Sequence, residues 1–366
     1  ANLLSLFHLK KKKRCFILLF YVFIDNFALE TRIKLQIMSN NTFGKSFRLT
    51  TFGESHSTCL GGIIEGFPAN QKIDYALLES ELERRKSSST YSTPRIEEDK
   101  VVFLSGIENN ISLGTPITFL IENKNIKKQD YDKLKTLFRP SHADYTYFSK
   151  YGINSSSGGG RASARETVCR VVGGSFAKQF LSSYGIEINS EITHIGQFNY
   201  LTQRNQAEEA LKEAKEKGDS LGGVIKCTIN NVSKGLGEPI FDKLSATLAQ
   251  AMISIPSAKS FEIGDGLESC KRLGSQDIDH WSQDFTTQTN HSGGIQGGIS
   301  NGMQIVFSVG FKPIASIGTI RAINPQGEII EIENKGRHDC CQLFRARVVV
   351  EAMSALTIAD FIKRAK

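Results

Sequence analysis

The sequence predicts an α+β fold: a single large domain in which mainly antiparallel sheets pack against helices. Three observations favour this class. Short apolar runs of strand type outnumber the helical patterns, the two kinds of segment do not alternate strictly, and no internal repeat or low-complexity linker divides residues 38–366. Strict alternation of strand and helix would have indicated a doubly wound parallel sheet instead.

The elements follow from apolar periodicity. Many short runs that alternate or are rich in β-branched residues predict strands, and examples are Val101–Leu104, Ile117–Ile121, Gly223–Ile229 and Gln304–Phe311. Apolar residues at helical spacing predict helices over Tyr75–Lys86, Ser163–Tyr184, Gln206–Lys217, Phe241–Ser254 and Arg347–Arg364. Glycine occurs 32 times and proline 8 times, which favours glycine-built loops over rigid linkers.

The first 37 residues are expected to lie outside this fold. A basic stretch, Lys10–Arg14, precedes ten apolar residues, Cys15–Ile24, in the order of a signal peptide. The apolar run is too short to cross a bilayer, and no small-residue cleavage site follows it. We interpret residues 1–37 as an N-terminal extension upstream of a natural start at Met38, with a signal-like leader as the alternative. Residues 38–366 are then the domain.

Charge and cysteine usage exclude several classes of protein. Of the net charge of +7, the first 37 residues contribute +5, so no basic surface for nucleic acid is implied for the remainder. The seven cysteines include no C-x-x-C pair, and therefore indicate neither a zinc site nor a disulfide framework. We expect no metal, no nucleic-acid partner and no membrane partner, and a reducing, cytoplasmic location.

Two segments could bring a ligand to a polar side chain. The stretch 51–68 places Ser55 and His56 in a glycine-rich run, where a ligand could approach the imidazole; an ordinary loop histidine is the alternative. In 158–180, three glycines and an S-x-x-E capping box, Ser163 to Glu166, precede a helix. Arg161 and Arg165 beside that helix start favour anion binding over a merely well-capped helix.

Further candidates lie in later loops. His142 lies close to Arg139 and Asp144, and could protonate a bound oxyanion or be structural. The glycine loop 290–302 lacks the G-x-G-x-x-G order and permits a flat ligand or an ordinary hairpin. Lys312 could meet a phosphate, and Pro313 after it predicts the exit of an edge strand.

Two charged segments leave alternatives open. Arg337 and Asp339, two residues apart, could face one site if the chain there is extended, although a solvated turn is the default interpretation. The basic loop 81–95 is either a solvated face or a mobile loop that closes over a polyanionic small molecule.

Together and in order, these motifs resemble chorismate synthase. The blocks that match are GESH with its glycine run (53–68), TPR-x-EEDK (93–100), RPSHADYTY (139–147), GGGR-x-SAR-E-T (158–167), SGG-x-x-GG-x-SNG (292–302), GRHD (336–339) and VVVEAM-x-AL-x-x-AD (348–360). The resemblance covers essentially all of 43–362. It implies a β-α-β sandwich and a carbon–oxygen lyase of the shikimate pathway of aromatic amino acid biosynthesis.

The resemblance also implies a reaction. Chorismate synthases eliminate phosphate from 5-enolpyruvylshikimate 3-phosphate in a 1,4 anti sense and give chorismate, with reduced FMN as cofactor. A flavin-dependent oxidoreductase acting on a small anionic substrate is the alternative. The family further implies a homotetramer. Because the chain shows no added reductase domain, we expect an external flavin reductase to supply reduced FMN, with NADPH as a possible source of reducing equivalents.

Site residues follow from the matching motifs. By resemblance, His56 protonates the reduced flavin, His142 is the acid for the leaving phosphate, and Asp339 assists proton removal near the flavin N5. The implied substrate-binding residues are Ser55, Arg84, Arg139, Arg161, Ser163 and Arg337. The implied FMN contacts are Arg161, Ala162, Ser163, Pro256, Ser257, Gly297, Lys312, Pro313, Ile314, Ala315, Ser316 and Arg337. Arg84 and Thr90 are the positions for a doubtful NADP contact.

The sequence departs from the family pattern at several of these loops. Ser57 replaces a usual glycine, which predicts an unusual backbone conformation there. Thr90 stands where a basic residue is usual, and residues 154–157 are all neutral. Cys340 replaces a proline, and Pro256–Ser257 replace Asn-Ala. Since both histidines and Asp339 are intact, we expect activity with weakened anion binding.

Overall fold

The computed structural model describes residues 40–86, 98–124, 137–153, 159–333 and 339–365. The strands are β1 Thr42–Phe43, β2 Arg48–Gly53, β3 Cys59–Glu65, β4 Val101–Ser105, β5 Ile107–Glu108, β6 Ile111–Ser112, β7 Ile117–Glu122, β8 Glu187–Ile195, β9 Phe198–Asn199, β10 Gly223–Asn230, β11 Ala258–Ile263, β12 Ile295–Gln296, β13 Ile299–Ser300, β14 Ile305–Phe311, β15 Thr319–Ile323 and β16 Ile329–Glu333. The helices are α1 Tyr75–Lys86, α2 Asp144–Tyr151, α3 Thr167–Ser182, α4 Arg204–Glu216, α5 Leu244–Ile253, α6 Gly274–Asp277 and α7 Leu343–Arg364.

Two five-stranded antiparallel sheets form the framework. The first has the order β1-β2-β3-β7-β4 and the second the order β11-β14-β10-β8-β9. In β14, Ile305, Phe307, Val309 and Phe311 are buried and alternate with more accessible residues. This alternation is typical of an antiparallel strand with one face on the core, and it confirms the predicted fold class.

Helices α3 and α7 lie between the two sheets. α3 packs on β2 and β3 of the first sheet, α7 packs on β8 and β10 of the second, and the two helices pack on each other. α7 is buried on nearly all sides from Leu343 to Ile362, as expected for a helix that is enclosed rather than laid on a surface. The layers are therefore sheet, helices and sheet, which is the predicted sandwich.

A glycine pair in α3 sets the spacing of these layers. A Cβ on Gly174 would lie 2.3 Å from the Cβ of Ala352 in α7. A Cβ on Gly173 would lie 2.8 Å from a methyl carbon of Leu49 in β2. Each contact is shorter than packed carbon atoms tolerate, so the missing side chains let α3 approach both neighbours.

The end of α7 is joined to the start of the first sheet by a buried carboxylate. Asp360 Oδ1 accepts hydrogen bonds from the backbone N–H groups of Lys45, Ser46 and Phe47, at 2.8, 2.5 and 3.0 Å. Three converging N–H donors satisfy a negative charge that would otherwise be costly to bury. This contact fixes the turn between β1 and β2.

Several details differ from the sequence prediction. α7 begins at Leu343 rather than Arg347, and α5 begins at Leu244 rather than Phe241. α3 begins at Thr167 rather than Ser163, because residues 164–166 form a 3₁₀ turn first. Pro313 does not mark an edge strand: β14 pairs with both β10 and β11, and the proline follows the last paired residue. Since Pro313 lies beyond the ladder, it removes no hydrogen bond from it.

Residues 41–86, 98–124, 137–145, 159–333 and 339–365 belong to one compact unit. Residues 146–153 group separately, and there the rings of Tyr147 and Tyr151 lie 4.5 Å apart. None of the helices in the described ranges is both long and apolar enough to cross a membrane.

Candidate active site

The Glu-Ser-His triplet lies in the loop between β2 and β3. Gly53 ends β2 with a φ of +88°, and a Cβ there would lie 2.3 Å from the carbonyl oxygen of Cys59. Ser55 Oγ lies 2.8 Å from His56 Nδ1. The Ser55 N–H donates to the carbonyl of Gly160 at 3.4 Å. The loop that holds His56 therefore joins the turn that holds Arg161.

Ser57 does not strain this loop, so the prediction of an unusual backbone there was wrong. It is absent from the described non-glycine residues with positive φ. Its hydroxyl accepts from the Glu54 N–H at 3.0 Å and lies 2.9 Å from the carbonyl oxygens of Glu54 and Cys59. Asn123 Nδ2 donates to the carbonyl of Ser57 at 2.8 Å. Serine thus adds hydrogen bonds to a turn that needs no glycine at this position.

Arg161 is held against the end of β2, beside the His56 loop. Its Nη2 donates to Thr51 Oγ1 at 2.7 Å and to the Thr51 carbonyl at 3.2 Å, and its Nη1 donates to the Gly53 carbonyl at 3.1 Å. Asn41 Oδ1 accepts from the same Nη2 at 3.1 Å. These partners are neutral, so the positive charge of Arg161 is not compensated by them and remains suited to an anion.

Ser163 and Glu166 do not form the predicted capping box. Ser163 Oγ accepts from the Arg165 N–H at 3.3 Å, one residue earlier than the box requires. The Glu166 carboxylate instead contacts Thr51 Oγ1 at 2.9 Å and Arg170 Nε at 2.8 Å. A buried carboxylate gains more from a charged partner and a buried hydroxyl than from a cap, so Glu166 bonds Arg170 one helical turn ahead and Thr51 in β2.

His142 has a defined tautomer. Its Nδ1 lies 2.9 Å from the carbonyl oxygen of Pro140, which can only accept, so Nδ1 carries the hydrogen. Its Nε2 lies 3.1 Å from Ser316 Oγ. Burial, followed by the charge of Arg139, lowers the pKa of His142 below its ordinary value of 6.5. The imidazole is therefore neutral at pH 7, with the Nε2 lone pair on the Ser316 hydroxyl.

Arg139 is paired with Asp144 at the start of α2. The pair is bidentate, with Nε to Oδ2 at 2.7 Å and Nη2 to Oδ1 at 2.9 Å, and both side chains are largely buried. Burial opposes ionisation of Asp144, but the guanidinium hydrogen bond and charge outweigh it and lower the pKa of the carboxyl. Arg139 is predicted to contact an incoming anion. Its guanidinium would then bind both that anion and the Asp144 carboxylate.

The segment 312–316 brings several predicted flavin contacts to His142. Lys312 Nζ donates to the Ser141 carbonyl at 3.0 Å, and the Lys312 N–H donates to the Ser257 carbonyl at 3.0 Å. Ser257 adopts a φ of +70°. Lys312 also contributes to the lowered pKa of His142, which places its ammonium charge near the imidazole. His142, Ser257, Lys312 and Ser316 thus form one cluster.

Asp339 is connected to the His142 cluster through Gln342, which lies in the same segment of the chain. Gln342 Nε2 donates to the Lys312 carbonyl at 2.9 Å, three residues after Asp339. Asp339 Oδ2 lies 3.5 Å from Arg345 Nε. Ser220 Oγ donates to the Ile314 carbonyl at 2.7 Å, and the Leu221 N–H donates to the carbonyl of Cys340 at 2.8 Å. The segments 312–314 and 339–342 are therefore fixed relative to each other.

Pro256 and Gly297 lie at opposite ends of α5. Pro256 follows its C-terminus, whereas the Gly298 carbonyl accepts from the Leu244 N–H at its N-terminus, at 2.8 Å. A ten-residue helix is about 15 Å long. Gly297 and Gly298 form the positive-φ turn of the β12–β13 hairpin, so the ordinary hairpin is the structure of this loop. The structure does not bring Gly297 next to Pro256 within one chain.

Arg84 belongs to a largely buried charge network. It donates to both oxygens of Glu351, at 2.6 and 2.7 Å, and to Glu81 at 2.7 Å. Lys178 bonds the same two carboxylates, at 2.7 and 2.6 Å. Burial opposes ionisation of Glu351, but these cations outweigh it and lower its pKa to about 2. The Arg84 charge is already matched, so its substrate and NADP contacts stay predictions without support from this geometry.

The sequence analysis missed a second buried ion cluster. Asp99 is 4% exposed and lies between Arg85, at 2.5 Å, and Arg165, with which it forms a close ion pair. Burial opposes its ionisation, but the two arginines keep its pKa lowered. Arg165 Nε also donates to Asn123 Oδ1 at 3.3 Å. Asp99 lies in the EEDK block, but nothing in the sequence indicates its partners.

Some predicted residues lie outside the described ranges. These are the N-terminal extension 1–37 with Met38, the departures Thr90 and 154–157, the loop arginine Arg95, and the substrate and flavin residue Arg337.

One cluster has the composition of a metal site but is an ion network. Ligand atoms of Asp265, Asp277 and His291 lie within 4.8 Å of one another. Arg272 Nη1 lies 2.5, 3.2 and 3.0 Å from atoms of the same three side chains. A guanidinium therefore occupies the position that a cation would take.

The chain matches known proteins over most of its length. The family model described as chorismate synthase matches residues 47–362. A chorismate synthase of Christiangramia forsetii is 48% identical over 346 residues, which is 88% of this chain and 98% of that protein. One of Flavobacterium psychrophilum is 48% identical over 347 residues, covering 88% and 97% of the two chains. A crystal structure of chorismate synthase aligns with a TM-score of 0.69 at 31% identity, over 88% of this chain and 93% of that one.

The matched proteins share this layered fold, and they give the class of the chain as an enzyme, a lyase that acts on a small molecule. The chain belongs to the chorismate synthase family. The resemblance found in the sequence motifs is thereby confirmed.

Proposed function

We propose that this chain converts 5-enolpyruvylshikimate 3-phosphate into chorismate by anti-1,4-elimination of phosphate, with reduced FMN bound beside the substrate. The family match supports the reaction. Among the structural observations, the His142 cluster supports it most, because it holds a neutral imidazole next to Arg139 and Lys312. Lys312 offers its charge to a phosphate, Arg139 would share its charge between the phosphate and Asp144, and a bound phosphate favours a proton on His142.

The residues present fit FMN in their chemistry. Arg161 and Lys312 offer cations for a phosphate or a flavin oxygen, and both are anchored by carbonyl oxygens rather than by carboxylates. Ala162 and Pro313 beside them are exposed, and so is Gly297. When bound, reduced FMN supplies electron density to the allylic system of the substrate.

Each titratable residue has one task in this proposal. Arg139 and Lys312 bind the substrate anions. His142 takes up a proton at Nε2 when the phosphate dianion arrives, and delivers it to the leaving phosphate. His56, with its Nδ1 held by Ser55, holds a proton for the cofactor. Asp339 assists removal of the substrate proton. Exclusion of water by the surrounding loops strengthens each of these charge interactions.

The remaining proposals concern context. We propose that reduced flavin comes from an external reductase, that the enzyme works in the cytoplasm, and that it assembles as a homotetramer. The six described cysteines are free thiols, and burial raises the pKa of Cys169, Cys227 and Cys341 to about 12, which is compatible with a reducing compartment. We propose further that residues 38–366 are sufficient for activity.

The test is anaerobic turnover. The full chain and a chain starting at Met38 are each mixed with dithionite-reduced FMN and 5-enolpyruvylshikimate 3-phosphate, and phosphate release and chorismate absorbance are followed. We expect many phosphates per flavin from both chains. His142→Ala should lower kcat by about 10²- to 10⁴-fold, as expected for loss of a general acid. His194→Ala, which alters a histidine in β8, is the matched control.

Three results would change the proposal. Consumption of one reduced flavin per product would indicate an oxidoreductase. No turnover despite FMN binding would reduce the assignment to a flavin-binding relative. Loss of activity only in the shorter chain would contradict the interpretation of residues 1–37 as an extension.

A further inference from the structure

A chain of hydrogen-bonded polar side chains, with Thr51 and Glu166 buried at its centre, starts at Arg161 and leaves the proposed site. Arg161 Nη2 donates to Thr51 Oγ1 at 2.7 Å, and Thr51 Oγ1 lies 2.9 Å from Glu166 Oε1. The other carboxylate oxygen of Glu166 accepts from Arg170 Nε at 2.8 Å, and Arg170 Nη1 donates to Ser254 Oγ at 2.7 Å. The chain thus runs from β2 through α3 to the end of α5.

The direction of every hydrogen bond in this chain follows from chemistry. A guanidinium can only donate and a carboxylate can only accept. The Thr51 hydroxyl must therefore accept from Arg161 and donate its single hydrogen to Glu166. The Thr51 hydroxyl accepts one hydrogen bond and donates the other at the same time. Because its hydrogen is held by Glu166, its lone pairs are oriented toward Arg161. Thr51 and Glu166 are both 6% exposed, so water does not readily replace either partner.

One end of the chain is a predicted flavin contact, and the other end lies next to two more in the sequence. Arg161 is at one end. At the other end, Ser254 precedes Pro256 and Ser257, and the Ser257 carbonyl accepts from the Lys312 N–H at 3.0 Å. The His56 loop and the His142 cluster, which come from distant parts of the sequence, are therefore linked through Glu166.

We infer that Thr51 and Glu166 are positioning residues that hold the Arg161 guanidinium in the orientation needed to bind the flavin cofactor. This inference rests on the proposed function. It gives Glu166 a role that the S-x-x-E motif did not suggest, since Glu166 does not form the predicted capping box. Neither residue touches the cofactor in this role: each acts through Arg161.

The test compares three substitutions at one position. Thr51→Val has nearly the same shape and suits a strand, but its side chain neither accepts from Arg161 nor donates to Glu166, while the backbone carbonyl of residue 51 still accepts from Arg161. Thr51→Ser keeps both hydrogen bonds. Affinity for oxidised FMN is measured on the full chain by flavin fluorescence quenching, without substrate. We expect Thr51→Val to weaken binding about tenfold, which is about 1.4 kcal/mol. Thr51→Ser should stay within about twofold of the wild type. Thr51→Ala is run in parallel in case the valine variant does not fold.

A double-substitution cycle separates positioning from a general structural effect. In an Arg161→Lys background, Thr51→Val should change FMN affinity by less than about twofold, because the group on which Thr51 acts has been replaced. An equal loss in both backgrounds would mean that Thr51 acts through the fold, and would overturn the inference. Wild-type affinity in Thr51→Val or Thr51→Ala would overturn it as well.

The inference and the proposed function fail in different ways. If the wild-type chain shows no saturable FMN binding, the proposed function is wrong and the inference with it. If the wild type binds FMN and turns over, but Thr51→Val and Thr51→Ala bind FMN as tightly as the wild type, only the inference is wrong.

Discussion

His142 is the residue whose surroundings bear most directly on chemistry. Its neutral state comes from burial and from neighbouring cations, and its Nε2 faces a hydroxyl that can reverse its role from donor to acceptor. A bound phosphate dianion would oppose those cations and favour the imidazolium. The residue is thus prepared to take up a proton only when substrate is present.

The corresponding prediction concerns the titration of His142. In the protein without substrate, its midpoint should lie below 6.5. Adding 5-enolpyruvylshikimate 3-phosphate with oxidised FMN, a combination that cannot turn over, should raise it, because the phosphate charge stabilises the protonated form. NMR of protein labelled at histidine Cε1 measures both, with His142→Gln to assign the signal. A midpoint that falls when substrate is added would contradict the role of His142 as the acid.

At this scale, sequence motifs identified candidate residues but not their partners. His142, Lys312 and Ser316 were each found, yet their contacts join residues up to 174 positions apart. Arg84 and Glu351 are 267 positions apart, and nothing in the sequence shows that the arginine is already bound. Charged residues can be seen in a sequence, whereas their neutralisation depends on how the elements pack.

Among the elements, α3 is the most constrained. The sequence predicted it from apolar spacing, and most of its residues are buried, but its start was misplaced because Glu166 is drawn to Thr51 and Arg170 instead of capping. From the sequence alone, Gly173 and Gly174 indicate only two residues of low helix propensity within a helix. In the structure they are the positions at which two neighbours come closest.

This predicts a large effect for Gly174→Ala. The added methyl would lie 2.3 Å from the Cβ of Ala352, so α3 and α7 must separate. We expect a loss of about 1–3 kcal/mol in unfolding free energy despite the higher helix propensity of alanine. Chemical denaturation measures it.

Gly274→Ala is the matched control, since a Cβ at that helical glycine meets no atom within 4 Å. It should leave stability unchanged or slightly higher. Equal effects of the two substitutions would show that α3 and α7 can adjust without cost.

At the scale of the whole molecule, the stretch of sequence from Phe241 to Phe285 exposes several large apolar side chains. Phe241 is 94% exposed, and further exposed residues follow it along the chain. They are Leu267, Leu273, Ile278, Trp281 and Phe285. Large exposed apolar side chains are often part of surfaces that bind another protein, so these residues are candidates for the interfaces of the proposed homotetramer.

The prediction is that Phe241 helps to hold subunits together. The wild type should sediment with the mass of four chains at micromolar concentration. Phe241→Lys should shift the distribution toward smaller species, because a charge would be buried in the interface. Leu201→Lys, an exposed leucine outside this region, should leave the distribution unchanged. Monomeric wild type, or equal dissociation of both variants, would contradict the proposal.

The fold class, the layers and most element positions could be predicted, because they depend on local periodicity and on the family pattern. The connection between first and last elements could not, since it depends on a single aspartate meeting three backbone N–H groups more than 300 residues away.

The enclosed position of α7 also determines when the protein can fold during synthesis. Ribosomes extend the chain from the N-terminus, so both sheets are translated before residues 343–364 emerge. Until then, the faces of β8 and β10 that α7 covers remain uncovered, and the turn at 45–47 lacks Asp360. The chain must therefore be made as far as residue 364 before this core can close. During that interval the uncovered apolar faces favour aggregation.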